Sequence, residues 1–207
     1  MRYLLISILF VSVLGCKVAT VENFTESNIT LSDTVQNPYF SNLEVDYVYK
    51  ADITVYGNEF SGILIAKKIA TQKHRIVFTS QFGSTFFDIE FEKDSYKINS
   101  IVEQLDRKII LNTLVKDFSL LIKEKGTVVE SYYNDTYNVL KNEKDKRSNY
   151  YFYSQPDQIL HKIVHATKRK EKVVIHFNNI SDNQIARNIS IDHKNIKLNI
   201  ELNFLKK

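Results

Sequence analysis

The residues of this sequence that could bind a metal ion are five histidines: His74, His161, His165, His176 and His193. Two of them, His161 and His165, are four positions apart, which on a helix would suit one metal ion. In a strand the same spacing puts both side chains on one face, but too far apart to share an ion. No His-Glu-x-x-His motif accompanies them. We therefore predict no metal site and interpret the histidines as solvent-facing strand residues.

Patterns that would indicate catalysis are also scarce. Asp88, Glu90 and Glu92 alternate along a predicted strand, which is typical of a solvated face, whereas catalytic carboxylates more often stand among apolar neighbours. The sequence has no Gly-x-Ser-x-Gly motif and no Gly-rich phosphate loop. We predict no catalytic residues and no cofactor, and an enzyme is the last of three functions that we consider.

The N-terminus indicates export to a membrane. Arg2 precedes an apolar run from Tyr3 to Leu14, followed by Gly15 and Cys16, and this layout is typical of a secretory signal peptide. The letters VLGC resemble a bacterial lipobox, which implies that the cysteine thiol receives diacylglycerol and that its amine is acylated after cleavage. An ordinary signal peptide is the alternative, but it would leave the only cysteine of the chain as an unpaired thiol. We predict a lipoprotein signal peptide over residues 1–15 and a lipid, palmitate included, on Cys16.

Composition limits the domain organisation and the partners. Residues 16–40 are mostly polar and lack a clear period, so we interpret them as the anchor and a flexible tether, with an end-to-end distance of about 25 Å. Residues 41–207 are long enough for one domain with a real core. The formal net charge of +4 is too mild to indicate nucleic acid.

Period-two alternation dominates from Asn42 onward and predicts strands. One apolar face contains five alternating residues: Tyr47, Tyr49, Ala51, Ile53 and Val55. Another contains Phe87, Ile89 and Phe91, and a closing hairpin has a third, with Leu198, Ile200 and Leu202 among its members. A turn is expected around Gly57-Asn58. About eleven such strands, each with one apolar face, predict a strongly curved sheet or an incomplete antiparallel β-barrel.

The pattern becomes helical at Asp106. Leu114, Phe118 and Leu121 belong to a broad apolar stripe that predicts one long helix from Arg107 to Glu124. Asp106 is the expected N-cap, and Gly126 the expected C-terminal stop. We expect this helix to pack over the concave face of the sheet in a mainly β, α+β fold. The residues predicted to line that cavity or core are Tyr49, Ile53, Phe87, Ile89, Phe91, Leu114, Phe118 and Leu121.

One turn does not follow the usual chemistry of turns. Gln81, Phe82, Gly83 and Ser84 connect two predicted strands, and Phe82 stands at the tip, where side chains normally face water and are polar. Two explanations are open at this point. Phe82 is either a contact residue for an apolar surface or a lid that folds back over the end of the sheet.

The lipobox, the meander of long strands and the letters FGST running into a strand together resemble LolB, the outer-membrane receptor of the lipoprotein-sorting pathway, and related LolA-like lipoproteins. The resemblance implies an incomplete barrel of about eleven strands with an apolar cavity. It also implies that Phe82 and Gly83 form a membrane-insertion loop that helps to pass acyl chains into the bilayer. Gln81 stands where LolB-type loops usually have Pro, which favours a divergent, Bacteroidetes-type member.

These observations lead to two functional hypotheses from different classes. The first is an outer-membrane lipoprotein, periplasm-facing and monomeric, that accepts acylated lipoproteins from a periplasmic LolA-type carrier and helps to insert them into the outer-membrane lipid. The second is a lipid-anchored binding or scaffold protein of the same fold, with a filled core and a protein partner. Packing of the cavity distinguishes the two hypotheses.

Overall fold

The computed structural model describes residues 19–27, 32–144, 147–167 and 170–205. Within this part of the chain there are a short 3-10 helix, Ala19–Val21, one α-helix, α1, which spans Lys108–Leu121, and fourteen strands. In chain order the strands are β1 (Thr25–Glu26), β2 (Thr34–Gln36), β3 (Asp46–Val55), β4 (Asn58–Ala70), β5 (Lys73–Ser80), β6 (Thr85–Glu92), β7 (Ser95–Ile101), β8 (Lys125–Tyr133), β9 (Tyr137–Lys144), β10 (Arg147–Ser154), β11 (Leu160–Thr167), β12 (Lys170–Ile180), β13 (Ala186–His193) and β14 (Leu198–Phe204).

The strands form one antiparallel sheet in the order β1-β8-β9-β10-β11-β12-β13-β14-β3-β4-β5-β6-β7, with β2 also paired to β8. Helix α1 follows β7 at one edge and leads to β8 near the other edge, so it crosses the inside of the curved sheet. Curvature brings distant parts of the sheet together, because Nζ of Lys144 at the end of β9 lies 2.7 Å from a carboxylate oxygen of Asp94 after β6. The predicted fold class, an incomplete barrel with a helix over its concave face, is confirmed.

Alternating side chains create two apolar clusters on opposite faces of the sheet. Every second residue of β3 from Tyr47 to Val55 is buried, as the period predicted. These residues join α1 in an inner cluster that spans most of the sheet. A smaller outer cluster lies on the strands from β8 to β12, and Val21 and Phe24 cover it.

The ends of α1 differ from the prediction. The N-cap is Arg107, and no side chain bonds the free N–H groups there, so the expectation of an Asp106 cap is wrong. At the other end the N–H of Ile122 donates to the carbonyl of Phe118 from a right-handed conformation. No left-handed glycine is therefore needed, and Gly126 lies within β8. No helix among the described residues is long and apolar enough to cross a bilayer.

The segment expected to be a flexible tether is part of the fold wherever the structure describes it. Residues 19–27, which we call the N-terminal strap, contain β1 and lie on the outer cluster. Val35 and Phe40 are buried in the inner cluster, and the side-chain amide of Asn37 donates to the carbonyl of Leu121 over 2.8 Å. The sequence did not predict these contacts, because the apolar residues of the segment are sparse and its strands, of two and three residues, are too short to show a period. The short strands β1 and β2 account for two of the strands by which the described chain, with fourteen, exceeds the expected number of about eleven. Cys16 lies outside the described residues.

Candidate functional site

Phe82 is the most exposed large apolar side chain of the described residues, with 97% of its surface accessible. It stands at the tip of the β5–β6 hairpin. The N–H of Gly83 donates to the carbonyl of Ser80 over 3.0 Å, and the N–H of Ser80 donates to the carbonyl of Ser84 over 2.8 Å. Gly83 has φ 85, so this is a three-residue hairpin loop with a glycine in the left-handed position.

The geometry of this loop explains Gly83 but not Phe82. A left-handed residue is needed after the turn, and glycine adopts that conformation without steric cost. Position 82 carries no such requirement, and its side chain is almost fully exposed. The explanation of Phe82 as a lid over the end of the sheet is wrong, because a lid would be buried. Phe82 is therefore available for contact with another apolar surface.

A second aromatic tip lies at the same end of the sheet. The β3–β4 hairpin turns through Tyr56 and Gly57, both with positive φ, between the paired residues Val55 and Asn58. The turn is thus centred one residue earlier than expected. Asn, Asp or Gly usually fill such positions, and a bulky residue with positive φ is uncommon. Tyr56 is nevertheless there, with 52% of its surface exposed.

Strand register places the two tips at one end. Gly62 of β4 pairs with Ser80 of β5, so the first residues of β4, which begins at Asn58, extend past Ser80 at the same end of the sheet as the turn that carries Phe82. The β13–β14 turn is also at this end, because the N–H of Tyr56 donates to the carbonyl of Lys197 over 2.8 Å. Three neighbouring hairpins therefore have their tips at the same end of the sheet.

The eight residues predicted to line a cavity or core all lie in the inner cluster, with exposures between 0 and 4%. The rings of Phe87 and Phe118 have centroids 5.5 Å apart, which joins β6 to α1. Two pockets, of about 380 and 510 Å³, lie instead at the β13–β14 turn, and none of the eight residues lines either of them. The space between α1 and the sheet is occupied by side chains.

A buried acid and a buried histidine attach α1 to the sheet. Nε2 of His193 lies 3.2 Å from Oδ1 and 3.1 Å from Oδ2 of Asp117. Nδ1 of His193 lies 3.0 Å from the carbonyl oxygen of Leu198. Because that carbonyl can only accept, Nδ1 carries the hydrogen of this bond. The pair is a polar link inside an apolar interface.

The environment of this pair indicates a structural role. The two side chains are only 1% and 2% exposed, as is typical of a pair that holds two elements together. Burial raises the pKa of Asp117, while the hydrogen bond from His193 acts in the opposite direction. We did not predict this residue from the sequence. The available signal was its position: Asp117 is three residues after Leu114 and four before Leu121, on the apolar stripe.

The histidines do not behave as one group. His74 is buried, its Nε2 lies 2.9 Å from the carbonyl oxygen of Phe40, and burial lowers its pKa. The interpretation of the histidines as solvent-facing is wrong for His74 and His193, because each occupies a site where a backbone carbonyl satisfies one ring nitrogen. Nδ1 of His165 lies 2.7 Å from the amide oxygen of Asn149. Among the described residues no group of three or more His, Cys, Asp or Glu side chains is placed to hold a metal ion.

Comparison with known proteins defines the fold class. No family model matches the sequence, and no curated protein matches it either. A LolA superfamily protein from Nitrosomonas europaea has a similar structure, with a TM-score of 0.52 and 8% identity over 78% of this chain and 84% of that chain. A DUF1329 family protein from Desulfovibrio piger superposes with a TM-score of 0.44 and 6% identity, over 78% of this chain and 84% of that one. The likeness to the LolA superfamily protein shows that the chain has a LolA-like fold.

Proposed function

We propose that this chain is a lipid-anchored protein of the outer membrane, facing the periplasm, that receives acylated lipoproteins and helps to insert them into the bilayer. The observation that carries the proposal is the exposure of Phe82 on a hairpin tip whose backbone does not require an aromatic residue. The LolA-like fold also supports the proposal. The loop sequence resembles that of LolB, and the fold independently resembles that of a LolA superfamily protein. A LolA-type carrier would be the donor, and the bilayer would be the acceptor.

Such a transfer needs no reaction and no cofactor. Each acyl CH₂ that moves from water into an apolar environment contributes roughly 0.8 kcal/mol. A carrier must therefore shield the acyl chain until the bilayer replaces the protein. An exposed phenylalanine can enter the apolar part of the membrane and bring the protein close enough for that exchange.

The filled interior sets a condition on this mechanism. The side chains of α1 and the sheet occupy the space that an acyl chain would need, so cargo binding requires α1 to move away from the sheet. The Asp117–His193 link and the Phe87–Phe118 contact would have to separate in that movement. Acceptance of cargo is thus proposed as a conformational step that exchanges side-chain contacts for acyl-chain contacts.

The same packing favours a second candidate function. A lipid-anchored scaffold or binding protein needs no cavity, and the eight core residues leave none between α1 and the sheet. In that case the hairpin tips would contact a protein partner, and Phe82 would be part of the interface.

Bound lipid distinguishes the two candidates. The protein is purified without detergent as a form starting at residue 17, and extracted lipid is analysed by mass spectrometry. A fluorescent fatty acid is then titrated into the delipidated protein, with Phe118→Trp as a variant that overfills the interior. We expect saturable binding by the parent and weaker binding by the variant. A parent that carries no lipid and does not bind the fatty acid would favour the scaffold.

The anchor is tested separately at Cys16. Cys16→Ala should abolish metabolic acyl labelling and leave residues 1–15 attached, because the lipoprotein peptidase acts after diacylglycerol transfer. If the Cys16→Ala protein retains the acyl label and fractionates with the outer membrane, the lipobox interpretation is wrong.

A further inference from the structure

The N-terminal strap shows where the chain leaves its proposed anchor. Thr20 Oγ1 donates to Oε1 of Glu171 over 2.9 Å, at the start of β12. From there the strap crosses the outer cluster, where Phe24 and Phe152 have ring centroids 5.8 Å apart. It then reaches the end of β8, where Thr25 pairs with Tyr133. Its first residues are therefore fixed at the start of β12.

This attachment places the proposed lipid close to one end of the sheet. Cys16 precedes Ala19 by three residues, and three residues reach at most about 10 Å. The expected tether of about 25 Å is much longer than that. A lipid on Cys16 would hold the start of β12 next to the bilayer.

Four lysines and a tyrosine lie together at this end, and we call them the lysine end: Tyr56, Lys170, Lys172, Lys194 and Lys197. Backbone contacts join the segments that carry them. The N–H of Lys194 donates to the carbonyl of Lys172 over 2.9 Å, and the N–H of Tyr56 donates to the carbonyl of Lys197 over 2.8 Å. The lysine end is therefore one contiguous surface.

The lysines of the lysine end form no ion pairs within the described chain. None of its four lysines forms an ion pair with a described residue, whereas Lys68, Lys73 and Arg75 each pair with an acid. The two acids on the same segments keep their negative charges, so the four lysines leave an excess of positive charge, and both carboxylates are hydrogen-bonded to residues other than these lysines. Glu171 accepts from Thr20, and Asp192 accepts from Asn199 over 2.8 Å.

An open, shallow pocket lies within this charged surface. It has a volume of about 510 Å³ and is lined by Tyr56, His193, Lys194, Asn195, Ile196 and Lys197. Two cations, one aromatic ring and one aliphatic side chain match the chemistry of a lipid headgroup region, where phosphates meet the upper part of the acyl chains. Tyrosine is enriched at such interfaces because its ring is apolar and its hydroxyl is polar.

We propose that the lysine end docks on anionic lipid headgroups and orients the domain on the bilayer. The lysines bind headgroup phosphates, Tyr56 enters the interface, and the adjacent Phe82 tip is turned toward the same membrane. The orientation rests on the proposed lipid anchor, but binding of headgroups by the lysine end does not. Anionic-lipid binding is therefore measurable on a protein that has no anchor.

The test uses the chain from residue 16 onward with Cys16→Ser, which keeps every described element. Co-sedimentation is measured with vesicles of phosphatidylcholine alone and of equimolar phosphatidylcholine and phosphatidylglycerol. One variant neutralises the lysine end through four substitutions: Lys170→Gln, Lys172→Gln, Lys194→Gln and Lys197→Gln. A matched control removes the same charge from exposed positions elsewhere: Lys50→Gln, Lys93→Gln, Lys97→Gln and Lys125→Gln.

We expect the parent to prefer the anionic vesicles and to lose this preference as salt rises. Each lysine near an anionic surface contributes about fivefold to binding, so the quadruple variant should bind on the order of several hundredfold more weakly. The control variant should bind like the parent, and all three proteins should have the same melting temperature.

Three outcomes would overturn the proposal: equal binding of the parent to both vesicle types, equal loss in the two quadruple variants, or no binding at all. If the four lysines are instead needed only for retention on heparin, the occupant is an acidic macromolecule and the proposal fails. Failure of the proposed function is recognised separately, by the absence of acyl label on Cys16 and of bound acyl cargo.

Discussion

Phe82 and Phe118 are the same side chain in opposite environments. Phe118 is 0% exposed, lies on α1 and contacts Phe87. Phe82 is almost fully exposed on a hairpin tip where the backbone would accept a polar residue. The two residues therefore differ in their role. Phe118 contributes to folding through its buried contacts, whereas the structure shows no contribution of Phe82 to folding. Under the proposed function, Phe82 acts outside the chain, by contact with the membrane.

The largest expected effect is on the inner member of this comparison. Phe118→Ala should lower the free energy of unfolding by about 3–5 kcal/mol, because it removes a fully buried ring and leaves a cavity. Chemical denaturation at equilibrium measures this loss. Phe118→Leu is the control, since it keeps most of the apolar volume and should lose much less.

A small loss in Phe118→Ala would contradict the packed interior. If the loss stays below about 1 kcal/mol while fatty-acid binding changes, we would conclude that Phe118 lines an open cavity in solution. Water or lipid in such a cavity would replace the contacts that the phenylalanine ring loses. That result would weaken the scaffold candidate and strengthen the carrier.

A smaller effect should appear in the pH dependence of stability, through Asp117. Burial raises its pKa in the folded chain above the unfolded value of about 3.9, so folding takes up a proton. The contribution of this group is complete below about pH 4 and is lost as the pH rises through the raised folded pKa. Asp117→Asn should remove that part of the profile. Thermal melting of parent and variant across the acidic and neutral range measures the difference.

Asp88 is the built-in contrast for this measurement. Its pKa is lowered, chiefly by hydrogen bonds from Arg75, so its contribution is present above the unfolded pKa and is lost as the pH falls. Asp88→Asn should therefore flatten the acid side of the profile, where Asp117→Asn leaves it intact. Identical profiles for the parent and Asp117→Asn would show that the buried pair keeps its proton count throughout.

Sequence patterns predicted the elements that make the inner cluster, because period-two strands such as β3 and the stripe of α1 repeat over many residues. They did not predict the strap, since Val21 and Phe24 are isolated apolar residues whose partners are more than a hundred positions away. The buried Asp117 was readable from its helical position, but its partner His193 was not, because only the fold brings β13 to α1. The position of Phe82 at a turn was unusual in the sequence, but the sequence left open whether the ring is exposed or folded back, and only the structure shows that it is exposed.

Tyr56 is a second exposed aromatic residue on a hairpin tip, at the β3–β4 turn. Its positive φ is strained for a bulky residue, and Asn tolerates this conformation far better. Tyr56→Asn should therefore raise the free energy of unfolding by on the order of 1 kcal/mol or less, while binding to anionic vesicles falls. Tyr56→Phe is the control that keeps the ring. A Tyr56→Asn protein that is less stable than the parent would show that the ring has a structural role at this turn.

The smallest expected change in stability is at Phe82 itself. Phe82→Glu should change the free energy of unfolding by less than about 0.5 kcal/mol, because an exposed side chain has few contacts to lose. The same substitution should weaken binding of the Cys16→Ser protein to vesicles and slow delivery of acylated cargo, since a carboxylate resists leaving water.

Two matched variants separate the ring from the charge. Gln81→Glu adds the same charge at the neighbouring exposed position and keeps Phe82, whereas Phe82→Leu removes the ring but keeps an apolar tip. If the apolar tip enters the membrane, Phe82→Leu should bind vesicles like the parent, and Gln81→Glu should lose less binding than Phe82→Glu. Equal losses in the two glutamate variants would mean that the added charge alone repels the anionic surface and that the ring does not insert. If the Phe82→Glu protein melts far below the parent, Phe82 has contacts within the fold and is not an exposed tip, because replacing an exposed side chain with few contacts changes stability little.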